Sequence, residues 1–182
     1  MTTRMNWKRA RRLTASTLLA VGLALSAAPA GASEIGNTRR FGLGVMIGSP
    51  SGISAKLYLS PRHALDFGLG IGFLGGPGGS FHMDYLFHFM LTEKPGFDLP
   101  LYIGIGGEVL FFWNDNYNRY YYGPGYYPNA GRVGVGVRVP IGIAFQLNRA
   151  PVDIFIEAAP GVGLFPYPGF YVEGAVGARY WF

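Results

Sequence analysis

The chain lacks cysteine and has few charged residues. None of its 182 residues is cysteine, and charged residues make up only 14% of the total. Without cysteine there is no disulfide scaffold and no thiolate metal site. After Ala28, glycine or charged residues interrupt every apolar stretch that could otherwise form a membrane helix. These absences exclude disulfide-rich domains, zinc–thiolate proteins and membrane-spanning helices after Ala28.

Basic residues are concentrated at the N terminus. Five of the 15 lysines and arginines lie within the first 12 residues, ahead of an apolar run from Leu13 to Ala28 and the sequence Ala30-Gly31-Ala32. This order predicts a secretory signal peptide over 1–32, cut after Ala32. A retained signal anchor is the alternative, although the run is short for a span. The rest of the chain has equal numbers of basic and acidic residues, which argues against nucleic-acid binding.

After a short N-terminal segment (33–40), glycine and alternating apolar residues dominate the chain. Glycine contributes 29 residues, which disfavours helices, and apolar residues recur at every second position. The pattern predicts eight strands, most of them near the ~9–11 residues of a tilted membrane-spanning strand. Their predicted bounds are Phe41–Gly48, Ile53–Ser60, Ala64–Phe73, Phe81–Met90, Pro100–Phe112, Arg132–Phe145, Val152–Phe165 and Phe170–Phe182.

The two faces of the predicted strands differ in charge. One face carries apolar residues such as Leu43, Ile71 and Val137, and no charged residue falls on it in any strand. The opposite face carries glycine and charged residues. A soluble sandwich would bury the apolar face, whereas an interior of glycine and charge fits the lumen of a membrane barrel. The sequence therefore predicts an all-β protein, an eight-stranded antiparallel transmembrane up-and-down β-barrel over 41–182.

Two features of this predicted barrel are irregular. The connection Leu91–Leu99 is long for the end that would carry both termini. Pro140 and Pro160 fall inside strands, where a closed barrel has no free edge to accept them. We therefore expect bulges or register breaks at both prolines. The longest connection, Trp113–Gly131, is expected outside the cell.

The C-terminal strand carries the most specific resemblance. Its apolar residues stay in phase up to an aromatic residue at the end, and they are Val176, Ala178, Tyr180 and Phe182. Together with the alternation over Phe41–Phe182, this ending resembles bacterial eight-stranded outer-membrane barrels such as the OmpA membrane domain and OmpX. Three other blocks resemble a family of small exported barrels of unknown function: Gly48–Lys56, Arg138–Gly142 and Phe155–Gly161.

The resemblance implies where the protein resides and what it contacts. It implies the outer membrane of a Gram-negative bacterium, reached through a cleaved signal peptide. It implies that the assembly machinery recognises the C-terminal strand through the four in-phase residues. Outer-membrane lipid and lipopolysaccharide are the implied surroundings.

Charged residues on the inward face form the first candidate site. They are Lys56, Asp66, Asp84, Glu108, Arg138, Glu157, Glu173 and Arg179. One interpretation is an ion or solute pathway. We favour a salt-bridged plug, because an eight-stranded barrel is only wide enough for its own side chains and buried charges must be paired.

Two histidines and an aspartate on the predicted fourth strand form a second candidate. His82 and His88 are ~20 Å apart along the strand, too far to share a metal. His82 and Asp84 are ~7 Å apart, a spacing that suits the catalytic pair of a lipid A-modifying enzyme, but no serine motif accompanies them. The segment Gly75–Ser80 lacks the lysine and the helix of a phosphate-binding loop. We predict no catalytic, cofactor or metal site.

The connection Trp113–Gly131 is the best candidate for binding. Its aromatic residues are Trp113, Tyr117, Tyr120, Tyr121, Tyr122, Tyr126 and Tyr127. Such side chains offer the rigid, amphipathic surface of recognition loops. A solvated low-complexity loop and an aromatic belt at the headgroups are the alternatives.

The predicted function is that of a non-enzymatic, monomeric outer-membrane barrel with a side-chain-filled lumen. Its role would be structural or surface-binding, with an extracellular ligand held by 113–131. A small channel for ions or hydrophobic solutes is the first alternative, and a lipid A-modifying enzyme is the second. No cofactor and no nucleic-acid partner are expected.

Overall fold

A computed structural model describes residues 35–72, 78–112, 133–166 and 168–182. The predicted signal peptide (1–32) lies outside these ranges. So do the seven aromatic residues of the candidate binding loop, Trp113–Gly131. Within the described ranges, no helix has the length and hydropathy of a membrane span.

In the described residues, nine antiparallel strands form one sheet, whereas the alternation of apolar and small or polar residues predicts eight. Their bounds are β1 Phe41–Ser49, β2 Ser51–Ser60, β3 His63–Ile71, β4 Gly79–Lys94, β5 Phe97–Phe111, β6 Val133–Arg138, β7 Ile141–Leu147, β8 Val152–Phe165 and β9 Gly169–Trp181. Turn-forming residues separate several of them: Pro50 lies between β1 and β2, and Pro61-Arg62 lies between β2 and β3.

The sheet closes on itself. Consecutive strands pair from β1 to β5, and β1 also pairs with β9. β6 and β7 both lie between β5 and β8, and β8 pairs with β9. The nine strands therefore occupy eight positions around a ring. The all-β, antiparallel prediction is confirmed.

The predicted sixth strand is divided into β6 and β7 at Pro140. The register is the same on both sides of the gap, because Arg138 pairs with Gly161 and Ile141 pairs with Ala158. The Pro140 carbonyl still accepts a hydrogen bond from β5 at 2.9 Å, but the missing N–H interrupts the ladder. Pro140 thus divides a strand without shifting it.

Pro160 causes no register break. It lies within β8, where the pairing with β9 runs without a shift from Val152 to Gly163. Its carbonyl accepts a hydrogen bond from the Val139 N–H at 2.9 Å. The expected bulge at this proline is therefore wrong. Register shifts occur instead at Tyr58/Ser60, Met90/Thr92 and Val135/Gly136.

The connection between β4 and β5 is shorter than predicted. The strands continue through most of Leu91–Leu99 and leave only Pro95-Gly96 as the turn. The prediction failed because a polar, proline-containing stretch looks like a loop, whereas cross-strand pairing keeps it extended. Because β3 begins at His63, opposite Phe87 of β4, the β4–β5 hairpin extends beyond the β2–β3 turn.

The outer face of the ring is apolar and the inner face is polar. Val45, Ile105 and Val172 point outward and are 62–67% exposed. Asp84 and Arg138 point inward and are 0% and 2% exposed. Among the described residues, more large apolar side chains are exposed than buried. This distribution is the reverse of that in a soluble globular protein.

Inward glycines leave room for large side chains on neighbouring strands. A Cβ built on Gly106 would overlap the Asp84 carboxylate, and one built on Gly142 would overlap the Tyr102 ring. Gly48 has a φ of +148°, and its Cα approaches the β9 backbone so closely that a side chain would not fit. The glycine content therefore reflects how the interior is filled.

Candidate functional site

The buried charges form two clusters inside the ring. The cluster nearer the start of β1 and the end of β9, here the Arg179 cluster, contains Lys56, Asp66, Asp153 and Arg179. The cluster nearer the opposite end, here the Arg138 cluster, contains Asp84, Glu108, Arg138, Glu157 and Glu173. Every one of these residues is at most 9% exposed.

The Arg179 cluster is balanced in charge. Arg179 Nη1 lies 2.5 Å from Asp66 Oδ1, and Arg179 Nε lies 3.3 Å from Asp153 Oδ1. Lys56 Nζ lies 3.3 Å from the same Asp66 oxygen and 4.1 Å from the centre of the Tyr102 ring. Two cations therefore face two carboxylates, and each cation also lies against an aromatic ring.

Neighbouring strands assemble the Arg179 cluster. Lys56 and Asp66 are register partners across β2 and β3. Asp153 and Arg179 are register partners across β8 and β9. Opposite charges that face each other across two strands are favourable cross-strand pairs. The cluster thus consists of two hairpin pairs that meet inside the ring.

The Arg138 cluster has one cation and four carboxyl groups. Arg138 Nη1 lies 2.8 Å from Glu173 Oε2, Nη2 contacts Glu157 Oε1, and Nε lies 3.4 Å from Asp84 Oδ2. Glu108 is buried on β5, opposite a glycine of β6. If all groups are ionised, this cluster carries an excess of three negative charges.

Hydrogen bonds connect the Arg138 cluster to the rest of the interior. Arg138 Nη1 donates to His82 Nδ1 at 3.1 Å. The Tyr102 hydroxyl donates to Glu157 Oε2 at 3.0 Å, while its ring lies beneath Lys56 of the other cluster. Tyr102 therefore links the two clusters.

Within the described ranges, Asp66, His82 and Asp84 have the best placement for a metal. Their ligand atoms lie within 4.8 Å of one another. However, Arg179 and Lys56 already contact Asp66, and Arg138 contacts both other residues. A divalent cation there would lie beside three fixed positive charges. We therefore assign no metal to this trio.

The chain matches the family described as a protein of unknown function, DUF3996, over residues 32–174. It belongs to this family. No curated protein and no solved structure matches it. The match extends no further than this family, so membership of the OmpA or OmpX families is not shown.

All eight residues predicted to form the charge network lie inside the ring of this DUF3996 member. They divide between the Arg179 cluster (Lys56, Asp66, Arg179) and the Arg138 cluster (Asp84, Glu108, Arg138, Glu157, Glu173).

Among the described interior residues that contact these clusters, Asp153, His82 and Tyr102 were missing from the predicted network. Asp153 could have been found from the β8–β9 hairpin, whose register places it opposite Arg179. His82 and Tyr102 gave no such signal, because their contacts with Arg138 and Glu157 join strands that are not neighbours.

The four residues of the predicted assembly signal lie on the outer face of β9 and at its end. Val176 and Phe182 are exposed, and Ala178 and Tyr180 are half-buried. The Phe182 ring stacks on Phe41 with 6.1 Å between ring centroids. The outward C-terminal face is therefore continuous with the outer face of β1.

Proposed function

We propose that this protein is an integral outer-membrane β-barrel with a side-chain-filled lumen and a structural or surface-binding role. The observation that carries the proposal is the inverted distribution of polarity around the closed ring. Exposed aliphatic side chains cover the outside, and paired charges lie inside. A closed ring also leaves no unpaired strand edge across most of its height, as lipid requires.

Aromatic residues at the two ends of the outer face support a membrane position. At the end where β1 begins and β9 ends, Phe41 stacks on Phe182, and Phe97 stacks on Phe145 with centroids 4.6 Å apart. At the opposite end, Phe170 is 85% exposed. Aliphatic residues such as Val45 and Ile105 lie between them. Two aromatic girdles around an aliphatic band are typical of outer-membrane barrels.

The filling of the interior favours a plug over a channel. Both charge clusters cross the lumen, and the cavity lined by His82, Arg138, Glu157 and Glu173 measures about 10 Å³. Such a volume holds no more than about one water molecule. We therefore propose that the protein conducts no steady ion current.

The same burial argues for a non-enzymatic role. His82 Nε2 and Asp84 Oδ2 lie 3.9 Å apart, closer than the ~7 Å inferred from their spacing along the strand. However, their side chains are only 3% and 0% exposed, and a lipid substrate could not reach them. Measuring acyl transfer or hydrolysis on purified lipid A, with His82→Ala as the comparison, would detect an enzyme.

Membrane insertion is tested by folding the mature chain into phosphatidylcholine vesicles. We expect the vesicles to carry the protein in a flotation gradient and the unboiled protein to migrate differently from the boiled protein on a gel. A mature chain that folds and stays dissolved in aqueous buffer without detergent would contradict the proposal.

Surface binding through 113–131 rests on the composition of that loop. Deleting 114–129 is expected to leave a heat-modifiable barrel and to abolish adhesion of vesicles carrying the protein to immobilised cells. Replacing the same residues by a glycine–serine segment of equal length controls for loop length. Adhesion that survives both changes would show that the loop is not the binding site.

Planar-bilayer recording separates the plug from the channel alternative. The wild-type barrel is expected to give no steady conductance. Replacing Arg138 and Arg179 by methionine would disrupt both clusters, and any current should appear only then. A steady current through the wild-type protein that is unchanged in this variant would contradict the plug.

A further inference from the structure

A cavity of about 620 Å³ lies at the end of the ring where β1 begins and β9 ends. It occupies the place where the β4–β5 hairpin extends beyond the β2–β3 turn. Pro61 and Arg62 of that turn line one side, and Met90 and Glu93 of β4 line the other. Its volume falls within the range of small-molecule binding sites.

The cavity reaches both faces of the wall. Tyr58 and Gln146 line it from inside and are both 4% exposed, whereas Phe87 and Phe89 point outward and are 42% and 54% exposed. Beyond Phe87, β4 has no described partner strand on the β3 side. The cavity is therefore a lateral notch through which the outer face communicates with the mouth of the ring.

The lining is mostly apolar, with one charge of each sign. Apolar side chains come from Ile35, Phe87, Phe89, Met90 and Pro100. Arg62 and Glu93 supply the two charges, and both are exposed. Among the described residues, neither side chain forms an ion pair. Both charged groups thus remain available to a ligand.

His88 lies at the floor of the notch, between two tyrosines. Its ring centroid is 4.9 Å from that of Tyr58 and 5.5 Å from that of Tyr102. The residue is 6% exposed, and its ring nitrogens have no hydrogen-bond partner in the part of the chain that the structure describes. Buried polar groups of this kind are normally satisfied, so a bound water would complete the floor.

We propose that this notch binds one phospholipid molecule with a zwitterionic headgroup, of the phosphatidylethanolamine type. The phosphate pairs with Arg62, the ammonium group pairs with Glu93, and an acyl chain lies against Phe87, Phe89 and Met90. Glu93 disfavours an anionic headgroup that lacks an ammonium group. The inference rests on the proposed membrane position, because a lipid chain enters the notch sideways from the bilayer.

Native mass spectrometry of the folded mature chain in detergent tests this inference. The protein is supplied with equal traces of phosphatidylethanolamine and phosphatidylglycerol. We expect one phosphatidylethanolamine to remain bound per chain. Arg62→Glu and Glu93→Lys are each expected to lower its retention by about tenfold, the loss of one charge-assisted hydrogen bond. Arg149→Glu is the matched control, because Arg149 is an exposed arginine at the same end, outside the notch.

The apolar part of the notch is tested separately. Met90→Trp fills the space for the acyl chain and is expected to lower retention, whereas Leu91→Trp adds the same side chain on a neighbouring exposed residue outside the notch. The inference would be overturned if the protein retained the two lipids equally, or if the control variants lost as much lipid as the notch variants. It would also be overturned if the protein had the mass of two chains without bound lipid.

Failure of the membrane proposal gives a different result. If the inference alone is wrong, the barrel still floats with vesicles and shows heat-modifiable mobility but does not discriminate between the headgroups. If the membrane position is wrong, flotation and heat-modifiable mobility are lost together, whatever the lipid retention.

Discussion

The two charge clusters of the interior are built in different ways. The Arg179 cluster pairs two cations with two carboxylates, and each cation has one carboxylate opposite it on a neighbouring strand. The Arg138 cluster surrounds one cation with carboxyl groups from β4, β8 and β9. Of these strands only β8 is a neighbour of β6, and the residue opposite Arg138 on it is Gly161, not a carboxylate. One cluster is therefore local and redundant, and the other depends on a single side chain.

This difference predicts where the interior is most sensitive. Removing one partner of a buried ion pair costs more when the charges left behind have no second partner. In the Arg179 cluster, Asp66 is shared by two cations. In the Arg138 cluster, Asp84, Glu157 and Glu173 all form their described ion pairs with the same guanidinium group, that of Arg138.

Arg138→Met is expected to have the largest effect. It leaves Asp84, Glu157 and Glu173 buried without their shared cation, which should lower the free energy of unfolding by about 3–5 kcal/mol. Urea unfolding in detergent, followed by heat-modifiable gel mobility, measures this change. Val137→Met is the control, because Val137 is the adjacent, outward-facing residue. A loss no larger than that of Val137→Met would contradict the account.

Arg179→Met is expected to cost less, roughly half as much. Lys56 stays 3.3 Å from Asp66, so only Asp153 loses its cation. The same urea experiment, run beside Arg138→Met, gives the comparison directly. If the order of the two losses were reversed, the two clusters would not differ in redundancy.

Gly106→Ala tests the packing around the Arg138 cluster. Its Cβ would collide with the Asp84 carboxylate and lie 2.5 Å from the Met83 carbonyl oxygen, so we expect a loss of about 1–3 kcal/mol. At Gly107, the next residue, a Cβ would meet nothing closer than 3.9 Å. Gly107→Ala in the same unfolding assay should therefore be nearly neutral, and equal losses for both would rule out the steric explanation.

Asp84→Asn should have the smallest effect, a change of less than about 1 kcal/mol. It removes one negative charge from the cluster with the acidic excess, while Glu157 and Glu173 still pair with Arg138. Asp153→Asn removes a charge of the same type from the balanced cluster and should cost more. A larger loss for Asp84→Asn, measured by urea unfolding, would show that the excess charge is compensated in another way.

Much of the fold follows from local pattern. Alternation along β4, with Phe81 and Met83 outward and His82 and Asp84 inward, assigns each residue to a face without knowledge of its neighbours. The error at Leu91–Leu99 has the opposite origin. That stretch has no clear alternation, and it is extended because the end of β4 pairs with the start of β5.

The contacts within the candidate site were much harder to predict. Asp66 and Arg179 both point inward by alternation, yet nothing in the sequence says that they meet. They lie on β3 and β9, so their contact depends on how the strands are staggered when β1 pairs with β9 and closes the ring. The notch beside Arg62 also depends on how β3 and β4 are staggered, because it lies where β4 extends past the first residue of β3.

The sequence by itself determined which residues face outward, that the outward face is free of charge, and that the chain folds as antiparallel strands. It could do so because a strand has a period of two, and burial on one face selects residues at that period. Only the tertiary structure decided that Arg138 pairs with several carboxylates, whereas Arg179 and Lys56 both pair with Asp66. Ion pairs across a closed ring depend on the register of strands far apart in the chain, and no local period encodes that register.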